Sequence, residues 1–298
     1  MSRDIGNGVL TSVIIQFAPI SCRTMDDVNR NTDRIIEFMD RACTGYPGLD
    51  IVIFPECCFQ GYCPNYWMDV GLKWDSEPIK RVQEKCKELG IWGCFDPWIV
   101  PDDGNFIENT CILIDDEGEI VHKYVKMNPY IPWEPTRPGT EMPVTQGPKG
   151  ARFATLICAD SNYQEIWREA AYKGANVIIH PSHWQAPYEY AWKLSNLAGA
   201  YFNGVTVLAP NSVGMDETFV YCGNSMVVDS AGRIVCEAPV TGEWMLRHDF
   251  SPLGSDASAI QACGTNKIWD AMHRGASCPG MGGEGLGFEN YSVYNLKK

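Results

Sequence analysis

Arg152-Phe-Ala-Thr-Leu-Ile-Cys158-Ala-Asp-Ser-Asn-Tyr-Gln-Glu-Ile-Trp-Arg-Glu-Ala-Ala-Tyr-Lys-Gly174 reads as a strand that turns at once into a helix. Residues 153–157 form a short apolar run of strand type. Ser161 followed by Gln164 predicts a capping box, and Tyr163, Ile166, Trp167, Ala170 and Ala171 recur at helical spacing up to Gly174, a natural stop. Cys158 is thus placed on a strand-to-helix elbow. Such an elbow lifts a side chain off the carboxyl edge of a sheet, and the N–H groups of the following helix favour a thiolate. The competing reading is plain: the chain has 13 cysteines, and a free cysteine is usually a small buried hydrophobe.

Outward from the elbow, the rest of the chain repeats the same grammar. A strand over 13–17 leads to a helix capped by Thr24, with Asp26 and Asp27 in its first turn and an apolar face of Val28, Ile35, Ile36, Phe38, Met39 and Ala42. Residues 50–54 are apolar on both faces, as a central strand requires, yet Pro55 and Glu56 follow directly. Ser76 and Pro78 open a second helix with Ile79, Val82, Cys86 and Leu89 inside and Gly90 at its end, and a strand over 91–95 follows. Strands are also expected over 176–179, 205–208 and 244–250, with a helix over 188–203 closed by Gly204. Two hairpins, around Asp115 to Gly118 and Asp229 to Gly232, share the pattern Asp-x-x-Gly-x-Ile-Val. The chain therefore divides into two similar halves, a sandwich with sheets inside and helices outside. Between them, residues 123–139 form an irregular loop stiffened by four prolines and carrying Lys126 and Glu134.

Composition sets outer limits. A length of 298 residues with 45% hydrophobic content suits one large α/β core, assigned to residues 1–252, with 253–298 as a glycine-rich arm packing in an oligomer interface. A net charge of −13 argues against nucleic acid or an anionic membrane as partner. An odd cysteine count without any Cys-x-x-Cys pair fits neither a disulfide framework nor a structural zinc site, so no metal and a reducing, cytoplasmic setting are expected. The N-terminus lacks a signal-peptide pattern, and no apolar run is long enough to span a bilayer.

Glu56, Lys126 and Cys158 each follow an apolar strand at its carboxyl end, where open α/β sheets gather ligands. Singly, each has a dull explanation: a helix-start carboxylate, a solvated ion pair with Glu134, a core thiol. Together, the blocks Val52-Ile-Phe-Pro-Glu56, Lys126 with Pro138-Gly139, and 157–175 resemble the nitrilase superfamily of carbon-nitrogen hydrolases. Lys126-Met-Asn-Pro-Tyr-Ile-Pro-Trp-Glu134 looks most like the aliphatic amidase and formamidase branch. The resemblance implies a four-layer αββα sandwich and a cofactor-free thiol amidase acting on a small amide, with Cys158 as nucleophile and Glu56 as base, its pKa raised towards neutrality. It further implies that Lys126 and the Ala159 backbone N–H hold an oxyanion, that Glu134 orients the amide nitrogen, and that the chain forms a homodimer or larger assembly through the helix after the nucleophile, which offers Tyr163, Trp167 and Tyr172. Nitrile or N-carbamoyl amine substrates belong to the same superfamily.

Two readings compete. His180 and His183 could serve a Cys-His hydrolase or half a metal site, although loop histidines are more often merely polar; and a catalytically dead sandwich could act as an interaction module. One departure from the branch bears on the pocket. The tyrosine expected after the first glutamate is Cys57, while Tyr130 and Trp184 stand where the branch has tryptophan and tyrosine. Losing a ring at Cys57 predicts a roomier wall and acyl groups larger than formyl or acetyl.

Overall fold

Leu10–Gln16 is buried along its whole length because it lies inside a sheet with a core on either side. Leu10 and Ile14 project into one apolar cluster, Val13 and Ile15 into the other. The same division splits Ile51 and Ile53 from Val52 and Phe54 in the next strand. This alternation makes layers: a period of two sends neighbouring side chains to opposite faces, and both faces here are covered. The computed structural model describes residues 8–253.

Two sheets form the inner layers. The first has seven strands, running Trp244–Phe250, Leu10–Gln16, Ile51–Ile53, Trp92–Phe95 and Glu108–Ile114, with Trp98–Ile99 and Ile120–Val125 both paired to Glu108–Ile114. The second has six: Ile234–Glu237, Met226–Val228, Thr206–Ala209, Val177–Ile179, Arg152–Thr155 and Thr145–Gln146. Each contains three parallel strands, then an antiparallel hairpin at one edge and a single antiparallel strand at the other. The two halves expected from the repeated Asp-x-x-Gly turns are thus copies of one topology, and Gly118 and Gly232 sit at φ +83° and +75° as those turns demand.

The helices α1 (Met25–Gly45), α2 (Trp67–Val70) and α3 (Glu77–Leu89) lie in the first half; α4 (Gln164–Tyr172) and α5 (Glu189–Asn203) lie in the second. Val28, Ile35, Phe38, Met39 and Ala42 of α1 and Ile79, Val82 and Cys86 of α3 pack on the outer face of the first sheet. Ile166, Trp167 and Ala170 of α4 and Trp192 and Ala200 of α5 join the core of the second. The α4–α5 approach is close: a Cβ at Gly199 would come within 2.7 Å of the Trp167 ring. The fold is the expected αββα sandwich.

Local details differ. Thr24 caps α1 as predicted, its hydroxyl accepting from the Asp27 N–H while the Asp27 carboxylate accepts from the Thr24 N–H. The Ser161–Gln164 box does not form. Residues Cys158–Asn162 make a 3-10 turn, α4 begins only at Gln164 behind Tyr163, and the Ser161 hydroxyl faces that of Ser195 at 3.5 Å. Ser76 likewise turns its hydroxyl back to the Lys73 N–H at 2.7 Å instead of capping α3. At Ser76 a local turn takes the hydroxyl that the helix would have used, and at Ser161 a contact with the neighbouring helix does. The proposed arm falls almost entirely outside the described residues.

Candidate active site

Each group singled out in the sequence stands at the end of a strand, and the two sheets bring them to one place. Glu56 follows Ile51–Ile53, Lys126 follows Ile120–Val125, Glu134 sits in the proline-rich loop, and Cys158 follows Arg152–Thr155 from the opposite sheet. Two are delivered by strained backbone. Cys158 has φ +45°, and Cys57, next to Glu56, has φ +55°. Non-glycine residues seldom occupy this region, which costs about 1–3 kcal/mol and persists where surrounding contacts over-determine it.

Those contacts come from residues to which the sequence reading gave no such role. Asp160 ties the elbow down: its carboxylate accepts from the Ile157 N–H at 3.0 Å, the Tyr124 hydroxyl at 2.7 Å, and the Asn128 backbone and side-chain amides at 2.8 and 3.0 Å. His180 spans the Cys158 carbonyl (3.1 Å) and Asn196 (2.8 Å). At the other elbow, Asp96 accepts from the Cys57 N–H at 3.0 Å. Gly139 holds the lysine strand, its N–H donating to the Lys126 carbonyl at 2.9 Å, and a Cβ there would stand 2.2 Å from the Val125 carbonyl oxygen. Only glycine fits that approach.

At the centre, the Lys126 ammonium donates to Glu56 Oε1 at 2.7 Å and to Glu134 Oε2 at 2.6 Å, and all three side chains are at least 94% buried. Asn109 bridges the carboxylates from the other side, its amide donating to Glu56 at 2.8 Å and Glu134 at 2.7 Å. Nothing in its surroundings in the sequence marked Asn109. One cation is shared by two buried carboxylates, and their titrations split accordingly. Burial pushes Glu56 up, but the charges of Lys126 and His183 and the bonds from Lys126 and Asn109 hold it below the usual carboxylate range. Glu134 is raised: burial and the charge of Glu56 outweigh Lys126. Asp96 is raised well above the usual carboxylate range, first by burial and then by Glu56. The sequence reading put the raised pKa on Glu56; close pairing with the lysine reverses it. Lys126 loses some basicity to burial, yet Glu134 and Glu56 hold it well above its ordinary value.

Cys158 also departs from expectation. Burial, then the charge of Glu56, push its thiol well above the usual range, and Lys126 and the His183 backbone N–H aimed at the sulfur offset this only in part. Cys158 rests as a thiol, because the turn after it is one short 3-10 segment and the nearest full charges are mostly negative. His183 is buried, with Nδ1 against the Ser212 hydroxyl (2.6 Å) and the Glu56 carbonyl (3.2 Å). Both histidines therefore brace the site rather than sit as polar loop residues. Among the described residues no group of three or more His, Cys, Asp or Glu side chains could hold a metal ion.

Two cavities meet at Cys158. The smaller, about 40 Å³, is lined by Glu56, Lys126 and Glu134 together with Cys57, Tyr62, Trp98, Trp133, Phe219 and Tyr221. The wall expected to open at Cys57 is filled: the Trp98 indole N–H donates to the Cys57 sulfur at 2.8 Å. Phe219 and Tyr221 come from a hairpin, Val213–Met215 with Val220–Cys222, whose brevity hid it in the sequence. The larger cavity, about 300 Å³, is lined by Tyr130, Ala159, Asn162, Trp184, Gln185, Tyr188 and Ala191.

This architecture and site have clear relatives. Residues 14–251 match the carbon-nitrogen hydrolase family. The chain is a carbon-nitrogen hydrolase of the nitrilase superfamily. The hydrolase is 34% identical over 272 residues to a formamidase of Bacillus cereus, covering 90% of this chain and 82% of that one. It is 30% identical over 270 residues to a formamidase of Pseudomonas syringae pv. tomato, covering 90% and 79%. Among solved structures, an amidase from Nesterenkonia sp. superposes with a TM-score of 0.74 at 25% identity, covering 82% of this chain and 90% of that one. A branch 10 member from Saccharomyces cerevisiae superposes at 0.77 with 22% identity, covering 85% and 94%. The chain is thus an enzyme of the carbon-nitrogen hydrolase class, and none of its described helices is long and apolar enough to cross a membrane.

Proposed function

We propose that the enzyme hydrolyses a primary amide to a carboxylic acid and ammonia through a thioester on Cys158. The observation that carries this is the buried Glu56–Lys126–Glu134 group lining the same small cavity as the Cys158 thiol. As the Cys158 sulfur bonds to the amide carbon, its proton passes to Glu56, which is ionised and acceptor-only at rest. Transfer is concerted with attack, since a raised thiol pKa and a lowered carboxylate pKa leave no free thiolate beforehand. The carbonyl oxygen becomes an oxyanion held by the Lys126 ammonium and the Ala159 N–H. Ala159 is the second residue of the 3-10 turn, where the backbone N–H has no partner within the turn. Each such donor is typically worth about 3 kcal/mol.

Collapse breaks the carbon–nitrogen bond, and Glu56 returns its proton to the departing nitrogen. Water then gives a proton to Glu56 and attacks the thioester; the acid leaves and Cys158 regains its proton. Glu134, its pKa raised by burial and the charge of Glu56, would orient the amide nitrogen. A nitrile would need no departing amine in the first step, and a carbamoyl substrate would put a second nitrogen on the carbon. The formamidase relatives and the Nesterenkonia amidase, in which an acetamide moiety was added covalently at the active-site cysteine, support the amide reading. Ammonia release from amides should disappear in Cys158→Ala, and a variant with undiminished turnover would refute the assignment.

A further inference from the structure

Cys158, Tyr130 and Gln185 line both cavities, and the Gln185 amide donates to the Tyr130 hydroxyl at 3.4 Å, so these side chains form a partition with the nucleophile in its gap. The chemistry of the two sides differs sharply. Glu56, Lys126 and Glu134 line only the small side. Among its described lining residues the large side has no charged side chain: aromatic rings of Tyr130, Trp184 and Tyr188, the methyls of Ala159 and Ala191, and the amide of Asn162.

The tetrahedral carbon formed when an amide bonds to Cys158 has three other directions. The nitrogen must face Glu56, which returns its proton, and the oxygen must face Lys126; both point into about 40 Å³, room for only a few water-sized groups. The third substituent must leave through the partition. Resting on the amidase reading above, we infer that the 300 Å³ cavity is the acyl site, and that the preferred substrate is a primary amide of a neutral carboxylic acid with an aryl or branched alkyl tail. That volume reaches the range of small-molecule sites, whereas a formyl hydrogen or acetyl methyl would leave it almost empty. Trp184 is buried and provides the floor; its indole N–H is fixed on the Tyr188 carbonyl at 3.1 Å. Tyr130 and Tyr188 are exposed and form the rim. A carboxylate in the tail would meet rings and methyls with no cation to pair with, and would lose its hydration uncompensated. Room for a large acyl group was expected at Cys57; it lies instead on the opposite side of the nucleophile.

The test is kcat/KM for ammonia release from formamide, acetamide, butyramide, phenylacetamide and succinamate, with Cys158→Ala as blank. We expect phenylacetamide to exceed acetamide by about tenfold or more, and succinamate to fall about tenfold or more below butyramide. Filling the cavity with Ala191→Trp should cut the phenylacetamide-to-acetamide ratio by about tenfold or more. Turnover of formamide and acetamide with a steep fall for butyramide and phenylacetamide would overturn the acyl-site assignment and leave the amidase reading standing. An unchanged ratio in Ala191→Trp, with acetamide turnover showing that the variant is folded, would overturn it as well. Ammonia from no amide at all would remove the amidase reading and this inference together.

Discussion

The decisive chemistry lies in how four charged or chargeable side chains share one proton inventory. Glu56 restrains the Cys158 thiol electrostatically and, in the proposed mechanism, is also the group that receives its proton. These two roles can be separated. Replacing Glu56 by Gln should lower turnover by about 10² or more, the usual cost of a missing general base, while alkylation of Cys158 by iodoacetamide becomes faster because a neighbouring negative charge is gone and Lys126 remains. In the unmodified enzyme the sign is the opposite: with the thiol raised, alkylation should climb steadily with pH and show no plateau below the ordinary thiol value of 9.0. A plateau near neutrality, or slower alkylation in Glu56→Gln, would contradict the arrangement. His183→Ala should leave turnover within about tenfold, since its ring braces Glu56 through a backbone carbonyl and does not hold the base position. Glu56, Lys126 and Cys158 were legible as residues that break the apolar pattern at strand ends, and Glu134 as the carboxylate of the proline-stiffened loop. Asn109, Asp160 and Asp96 were not, because each acts through a contact between segments distant in sequence, and nothing in its neighbours announces one.

At the scale of elements, parallel strands buried on both faces and helices with one apolar stripe left little freedom in the assignment. The two caps that failed lost their hydroxyls to other partners, Ser76 to the Lys73 N–H of a local turn and Ser161 to Ser195 on α5. One strand carries an unexpected tie. His122, on Ile120–Val125 of the first sheet, is buried between the sheets and bridges Thr145 and Thr155 of the second at 2.8 and 2.9 Å. Burial lowers its pKa from 6.5 to about 4. Above pH 6.5 both folded and unfolded states hold it neutral; below that the unfolded chain takes up a proton that the folded protein refuses, and stability falls until the folded value is reached. The loss is on the order of 3 kcal/mol. Urea titrations between about pH 6.5 and 4 should show this decline, shallower in His122→Gln by that one residue's share because the lowered His180 and His183 remain. An identical slope in the variant would show that His122 is not the buried neutral link.

For the whole molecule, two sheets of like topology facing each other explain why the site is shared between them: Glu56 and Lys126 come from one half, Cys158 from the other. Of the side chains the sequence reading offered to an interface, Tyr163 is exposed and Tyr172 half-buried, but Trp167 is not available. Trp167 is buried, its indole donating to the Ser161 carbonyl at 3.1 Å, so it cannot meet a partner subunit. Exposed with Tyr163 before α4 are Tyr190, Leu194, Tyr201 and Phe202 on α5, of which Tyr190, Leu194 and Tyr201 follow one helical face. A homodimer joined through this face is the expected state, since such a stripe is unfavourable in water. Sedimentation should give a dimer at micromolar concentration and a monomer for Tyr190→Asp/Leu194→Asp; a monomer throughout would refute it.

Mass spectrometry of the enzyme quenched in acid during turnover of an amide tests the central claim most directly. The account predicts one adduct with the mass of the acyl group, on the peptide carrying Cys158, labile to hydroxylamine and absent from Cys158→Ala. An acyl group on another residue, or steady ammonia release from Cys158→Ala, would contradict it.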